Sequence, residues 1–563
     1  MSLPATIQTT VGQSMISRVT RLFNNSVGDV LTELLQNARR AGATRVDIDR
    51  FDLADRQVLV VRDDGSGIAD PAKLVTLGDS GWDSEIAHRE DPAGMGVFSL
   101  AGHRVEIRSF SPAARKGWCV TIGPDAWESG SPLEIEPYSI AAGTEILVDM
   151  PAAWVSALAA AAAKAATFYP LAVYFQGERC AQRDFLAEAH RVEQWNGCRI
   201  GIFQGRNYRS PTEVSINFHG LTVPCPMPSV SEVGGDGCWY VRVDIVDAPA
   251  LQLVLPARKE MVQNGALDAL REAAETAIYR TIAVNGSHRL AHEQWQRAHA
   301  LGVILPEAAP WLSGWAPRTA DADSTLLGDP VAGTGMILVP DEDPPIEQCA
   351  GRVLCNGLPL GGALVREVSA FEGYGWYDAL PRVSDLSFSV ESDAGAFSYR
   401  SGDGLPSGIE SGRVAHITLD VVVKPSANAT GEDARHSFPA DVLIAPDDGW
   451  YSNIDEAVIL LTQDSTITPH ELASLIEDAC FTPGDDCGDD SWETQHSYFE
   501  KRARHVANEL LLGEETAILE RIRDVLLDEV SWLIPDGRRV TILAERGQMT
   551  LSYVPEDAAA LPA

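Results

Sequence analysis

Between Val27 and Arg40 the apolar residues Val30, Leu31, Leu34, Leu35 and Ala38 recur at helical spacing, which predicts an amphipathic helix. Residues 43–49 alternate and residues 57–62 are a β-branched, apolar run; both predict strands, as do 104–109 and 117–122. Residues 152–168 are helical by propensity and stop at Tyr169-Pro170, because the residue before a proline is steered away from the helical region. Strands are expected at 171–175, 214–218, 239–245 and 251–255. After Asn264 a helix follows whose Leu267, Leu270, Ala274, Ala277 and Ile278 share one face. Residues 302–345, punctuated by seven prolines from Pro306 to Pro345, predict a loose connector. Beyond it, strands are expected at 414–423 and 440–444. Thr468-Pro469-His470-Glu471 carries a capping-box signature with proline at the first helical position, opening a helix to Cys480. A long helical region at 498–533 and a hairpin pairing 540–543 with 550–554 complete the pattern.

Four short runs on or between these elements carry residues where chemistry is possible. Glu33 and Asn37 are four apart on the predicted helix, hence on one face. A carboxylate there can polarise water as a general base, and an amide oxygen one turn on can help hold Mg²⁺, an ion that takes few protein ligands. Asp63-Asp64-Gly65-Ser66-Gly67 ends the strand at 57–62, with Gly65 and Gly67 able to turn the backbone tightly. Gly94-Met95-Gly96 leads into an apolar run, a layout that presents backbone N–H groups to an anion. Gly143-Thr144 opens another strand-like run. Each cluster alone is common: Glu-x-x-x-Asn is cheap on any helix, and Asp-Gly is an ordinary turn.

In this order, however, the four runs resemble the nucleotide-binding motifs of the GHKL ATPase superfamily, which includes type II topoisomerase ATPase domains, heat-shock chaperones, sensor kinases and MutL proteins. The resemblance implies ATP and Mg²⁺ as cofactors, with Glu33 as the base and Asn37 as the metal ligand. Asp63 would accept from the adenine amino group, Thr144 would support it, and the backbone at Gly65, Gly67, Gly94 and Gly96 would approach the nucleotide. Residues 78–92 are similar to the lid that closes over nucleotide in that superfamily. The run 256–264 is similar to a segment of the heat-shock chaperone middle domain that delivers a cation to the γ-phosphate; aligned on Glu260-Met261 the cation is Lys259, with Arg258 beside it. One departure stands out: Arg40 occupies a position where many members have Asp.

The expected fold class is α/β. It comprises a GHKL two-layer α/β sandwich at 1–150, a transducer-like α/β middle domain at 151–300, the connector at 301–346, and an α+β carboxy-terminal region at 347–563. No catalytic motif is visible after residue 264. The 563 residues carry 80 Asp plus Glu against 44 Lys plus Arg, a net charge of -36. Such a field repels nucleic acid unless a local basic patch overcomes it, so nucleic acid is not an expected partner. The nine cysteines form no Cys-x-x-Cys and no zinc-finger spacing, which predicts reduced thiols. The longest apolar run, 157–166, is broken by Lys164 and too short to span a bilayer, and residues 1–20 lack a signal-peptide layout. A cytoplasmic, Mg-dependent ATPase driving a chaperone-like clamp on a protein client is therefore expected, with a homodimer as family analogy. The rivals are a DNA-acting ATPase of the topoisomerase or MutL kind, a histidine kinase, and a nucleotide-gated scaffold that does not hydrolyse.

Overall fold

The computed structural model describes residues 26–53, 56–75, 96–129, 132–206, 213–235, 237–254, 259–321, 328–333, 335–357, 359–393, 395–426, 432–445, 454, 457–484 and 490–554. The chain divides into two compact units, Met1–Ala308 and Ala309–Ala563.

The first unit begins with helix α1 (Val27–Arg40), capped by Ser26, whose hydroxyl accepts the Asp29 N–H at 3.1 Å. It packs on an eight-stranded sheet built from β1 (Arg45–Asp52), β2 (Gln57–Asp63), β3 (Val105–Ser111), β4 (Lys116–Ile122), β5 (Ile135–Pro137), β6 (Thr144–Asp149), β7 (Ala172–Phe175) and β8 (Glu178–Arg179). The spatial order is β5-β4-β3-β6-β2-β1-β7-β8. Every pairing is antiparallel except β1 with β7. Strand alternation sends Ile48, Leu59, Val61, Ile107 and Val148 to one face, where Leu31, Leu34 and Leu35 of α1 meet them. Helix α2 (Ala152–Ala166) covers the same face through Trp154, Leu158 and Ala162.

This is the expected two-layer sandwich, but it runs past residue 150. A strand added in parallel must be reached by a crossover, and α2 is that crossover, so 152–179 complete the first sheet instead of opening a middle domain. The opposite face of the sheet mixes apolar side chains such as Val58, Val60 and Leu147 with charged ones. Arg62 bridges Asp49 (2.7 Å) and Glu145 (2.5 Å), and Arg108 bridges Glu145 (2.6 Å) and Glu106 (2.7 Å), a row of alternating charge across four strands.

A second sheet in this unit has the order β12-β11-β14-β10-β9, with β13 on β14. Its strands are β9 (Arg191–Trp195), β10 (Cys198–Arg206), β11 (Val214–Phe218), β12 (Leu221–Pro224), β13 (Ser229–Ser231) and β14 (Gly237–Ile245). The predicted helix is α3 (Gly265–Val284), whose Leu267, Leu270, Ala274 and Ile278 pack on Ile200, Ile202 and Val243. A shorter helix, α4 (His292–Ala300), follows. Of the expected strand at 251–255, the described residues 251–254 form one bridge, Leu253 to Met261, and residue 255 lies outside the described residues.

In the second unit the expected connector is structured. It holds the pair β15 (Trp311–Ser313) and β16 (Pro330–Ala332), then β17 (Met336–Val339), whose four residues are all buried. The prolines and glycines there mark turns between short strands. A six-stranded sheet sets β17 between β18 (Ala363–Arg366) and β19 (Arg382–Ser392), with β20 (Gly395–Tyr399), β22 (His416–Lys424) and β23 (Ala434–Ala440) beyond. A smaller sheet joins β21 (Gly412–Val414), β25 (Val458–Thr462) and β24 (Val442–Ala445). Helices α5 (Pro344–Leu354) and α6 (Pro469–Cys480) share its core, and α6 has the predicted capping box between Thr468 and Glu471. The predicted long helical region is two helices, α7 (Trp492–Leu512) and α8 (Glu514–Glu529), separated by Gly513 at φ 85°, a conformation that ends a helix. The hairpin of β26 (Val540–Glu545) and β27 (Gln548–Tyr553) forms as expected. No helix among the described residues is long and apolar enough to cross a membrane.

Candidate functional site

The carboxyl end of β2 places Asp63 opposite Val46 on one side and Thr144 on the other, and Thr144 in turn opposite Ser109. One row across the sheet therefore carries Asp63, Thr144 and Ser109. The loop after Asp63 folds back tightly: the Gly65 N–H donates to Asp63 Oδ1 at 2.9 Å, and the Ser66 N–H donates to the Ala41 carbonyl at 2.9 Å, just past α1. Gly67 has φ 76°, and a Cβ there would lie 2.2 Å from the Phe110 carbonyl oxygen. Gly143 has φ 73°, and its Cβ would lie 2.0 Å from the Asp63 carbonyl oxygen. Only glycine allows these approaches, so the loop is clamped against β3 and β6.

Two carboxylates adjacent in sequence end up in opposite situations. Burial pushes Asp63 up to about 6, only partly offset by the N–H groups of Gly65 and Thr144, and the neighbouring Asp64 charge pushes the same way. Asp64 faces outward. Burial works against its charge, but hydrogen bonds from the Thr44 hydroxyl and the N–H groups of Arg45 and Thr44 outweigh it and hold the group below the usual range. Asp64 ties β1 to β2; Asp63 is the carboxylate left to meet a donor.

The Thr144 hydroxyl is buried and shares a 2.9 Å hydrogen bond with Ser109 Oγ, which also accepts the Ile68 N–H at 2.9 Å. Ser109 is a site residue that the sequence did not mark, since a serine inside a strand gives no signal of its own. Tyr169, beyond α2, donates to the Leu35 carbonyl at 2.5 Å. Burial pushes its phenol well above the usual range, and the charges of Arg39, Asp63 and Arg40 all reach it. Tyr169 thus marks where the end of α1 and the end of β2 converge.

On α1, Glu33, Gln36 and Arg40 are buried. Asn37 lies one turn from Glu33, as expected, but its partner is unexpected: Arg40 Nη1 donates to Asn37 Oδ1 at 3.1 Å and stands 3.9 Å from Glu33 Oε1. Gln36 Nε2 donates to the His219 carbonyl at 2.8 Å, in the turn between β11 and β12, so the motif helix is tied directly to the second sheet.

These contacts decide whether the residues suit Mg²⁺. Asn37 Oδ1, the oxygen assigned to the metal, already accepts from a guanidinium whose side chain is 4% exposed. Like charges within about 5 Å at an effective dielectric near 20 repel by several kcal/mol. The donor set as arranged does not fit a dication. Among the described residues no group of three or more His, Cys, Asp or Glu is placed to hold a metal.

The other expected residues are not all brought together. Gly94, the segment 78–92 and Arg258 lie outside the described residues. Gly96 starts a single 3₁₀ turn, Gly96–Leu100, which packs Phe98 and Leu100 beneath α1. Lys259 is exposed, next to the bridge of Leu253 and Met261, and no contact among the described residues joins it to α1 or Asp63.

No family model and no curated protein matches this sequence. Among solved structures, part of the chain is similar to the ATPase region of Saccharomyces cerevisiae topoisomerase II, with TM-score 0.31, 9% identity, and coverage of 47% of this chain and 84% of that one. The same region bound to ICRF-187 (dexrazoxane) gives TM-score 0.30, 10% identity, and coverage of 44% and 78%. The ATPase and transducer domains of DNA topoisomerase II from Balamuthia mandrillaris give 0.27, 15% identity, and coverage of 35% and 60%. Each likeness is partial.

Proposed function

We propose that the first unit binds ATP in the GHKL manner, with Asp63 accepting from the adenine amino group. The observation that carries this reading is the half-buried Asp63 carboxylate. It is bonded by the Gly65 N–H and sits beside a Thr144 hydroxyl that Ser109 holds in place. A withdrawn carboxylate with no cation paired to it among the described residues is poised for a neutral donor such as an amino group, and burial makes that hydrogen bond selective.

In this reading Glu33 is the candidate base for hydrolysis, Asn37 borders the phosphates, and the backbone around Gly65, Gly67, Gly94 and Gly96 lines the nucleotide. Lys259 is the candidate cation for a phosphate contact. The Gln36 bond to the turn at His219 gives the bound state a route to the second sheet, which supports a clamp cycle on a protein partner. The acidic charge, -36 overall, favours a protein over a duplex as that partner.

Calorimetric titration of ATP and ADP into the full chain tests the reading. Saturable heat that is lost in Asp63→Asn is the expected result, because the amide presents a donor where the adenine also donates. No uptake of either nucleotide, or equal uptake by Asp63→Asn, removes it.

A further inference from the structure

We propose that residues 514–553 form a two-fold interface between two copies of this chain, in which β27 pairs edge to edge with its counterpart and the outer face of α8 is covered. This surface belongs to the second unit and stands whether or not the first unit binds nucleotide.

Helix α8 packs against α7 with its polar side. Asp524 and Asp528 pair with Arg504 and Lys501 of α7 at 3.5 and 3.6 Å, and Ala517 on the same face is buried. Ile518, Ile522 and Val525 recur at helical spacing on another face, with Leu519 beside them, and are 47% to 65% exposed. A surface helix ordinarily does the reverse and buries its apolar stripe. In the 3₁₀ turn that follows, Trp532 and Leu533 are 73% and 59% exposed.

The hairpin repeats the anomaly. Its register sets Val540, Ile542 and Ala544 opposite Tyr553, Leu551 and Met549, so one face is wholly apolar. Such alternation belongs to a strand pair packed on a core. Yet Met549, Leu551 and Tyr553 are 62%, 57% and 54% exposed, the last with the Arg538 guanidinium over its ring at 4.5 Å. Among the described residues no third strand joins the pair, and an isolated two-stranded hairpin is marginal in water. Strand β27 is exposed along its whole length and carries neither charge nor proline, the devices that keep a strand edge from pairing.

A second copy is the occupant that fits. Each chain carries a net charge of -36, which opposes self-association except through an uncharged surface, and β27 and the α8 stripe are uncharged. A two-fold axis beside β27 sets the two strands antiparallel, closes the open edge and keeps both apolar hairpin faces on one side. The exposed apolar side chains of α8, the 3₁₀ turn and β27 offer roughly 1,000 Å² per copy, enough for the area that each partner buries in a stable interface.

Sedimentation velocity of the full chain without nucleotide, from about 1 to 100 μM, is the test. The wild type is expected to form a closed dimer, and Ile522→Asp and Leu551→Lys are each expected to raise its dissociation constant about a hundredfold. Both positions are exposed in the single chain, so far-UV circular dichroism of the variants should match the wild type. Thr541→Lys, on the polar face of the hairpin, should dimerise as the wild type does. Hydrogen exchange needs no variant: the β27 amides should exchange more slowly at the high concentration than at the low. A wild-type monomer at the highest concentration, a size that keeps rising with concentration, β27 exchange that ignores concentration, or a dimer that persists in either variant overturns the proposal. Because nucleotide is left out, association driven by ATP through the first unit does not enter the measurement.

Discussion

Each unit draws a carboxylate away from water, Glu347 fully and Asp63 in part, and the two are treated in opposite ways. In the second unit Glu347 is fully buried yet saturated: the N–H groups of Arg318 and Glu342 and the guanidiniums of Arg318 and Arg366 all donate to it, at 2.9 to 3.4 Å. In the first unit Asp63 is withdrawn from water with backbone N–H groups as its only described donors, and burial raises its pKa to about 6. A saturated buried charge closes a fold; an under-supplied one is available for a ligand. The contrast separates structure from site without any appeal to motif.

The largest effect is expected at Glu347. Replacing it with alanine leaves the guanidiniums of Arg318 and Arg366 with Asp341 as their remaining carboxylate partner, and unfolding of the second unit followed by urea should show a loss of about 3 kcal/mol. A loss under about 1 kcal/mol would mean the cluster is not the closed network described.

Asp63 should behave in the reverse sense. Its folded pKa, about 6, lies above the ordinary 3.8, so its contribution to stability is complete below about 3.8 and is lost as pH rises through about 6. The rise from 3.8 to about 6 corresponds to roughly 3 kcal/mol as an upper bound. Asp63→Asn should therefore stabilise the protein at pH 8 by up to about that amount and leave it unchanged near pH 3.5, as read from thermal midpoints across pH. If Asp63 is the acceptor proposed above, calorimetry should show ATP affinity falling as pH drops below about 6, when the acceptor is protonated.

Gln36 sits between these extremes. Its Nε2 is bonded to the His219 carbonyl, while its buried Oε1 has no hydrogen-bond partner among the described residues. Gln36→Ala should cost about 1 kcal/mol by denaturant titration, the loss of one half-buried hydrogen bond. Glu145, shared by Arg62 and Arg108 on the open face of the sheet, should matter least: Glu145→Gln is expected to cost about 1 kcal/mol or less, and raised salt should shrink the difference.

Much of this was legible in the sequence. The periodicity of α1, the alternation of β1 to β4 and the capping box at Thr468 each depend on local spacing, and they formed where expected. Asp63 and Thr144 belong to one expected site, and the two residues are in register across β2 and β6. What the sequence could not show depended on long-range pairing. That residues 172–175 return to lie beside β1 follows from the crossover, which no local pattern records. The proline-rich stretch hid β17 because turn residues between short strands have the composition of a linker. Ser109 was silent for the same reason, being a site residue only through its neighbour on β6. Arg40 was visible as a departure, but its grip on Asn37 needed the helix to be built.

The bond from Gln36 to the turn at His219 has a mechanical corollary. Gln36 is the immediate neighbour of Asn37, so the helix that carries Glu33 and Asn37 cannot roll about its axis without dragging the turn at His219 on the second sheet. A movement too small to resolve at one end becomes a tug on a distant hairpin, with a single side-chain amide as the tether.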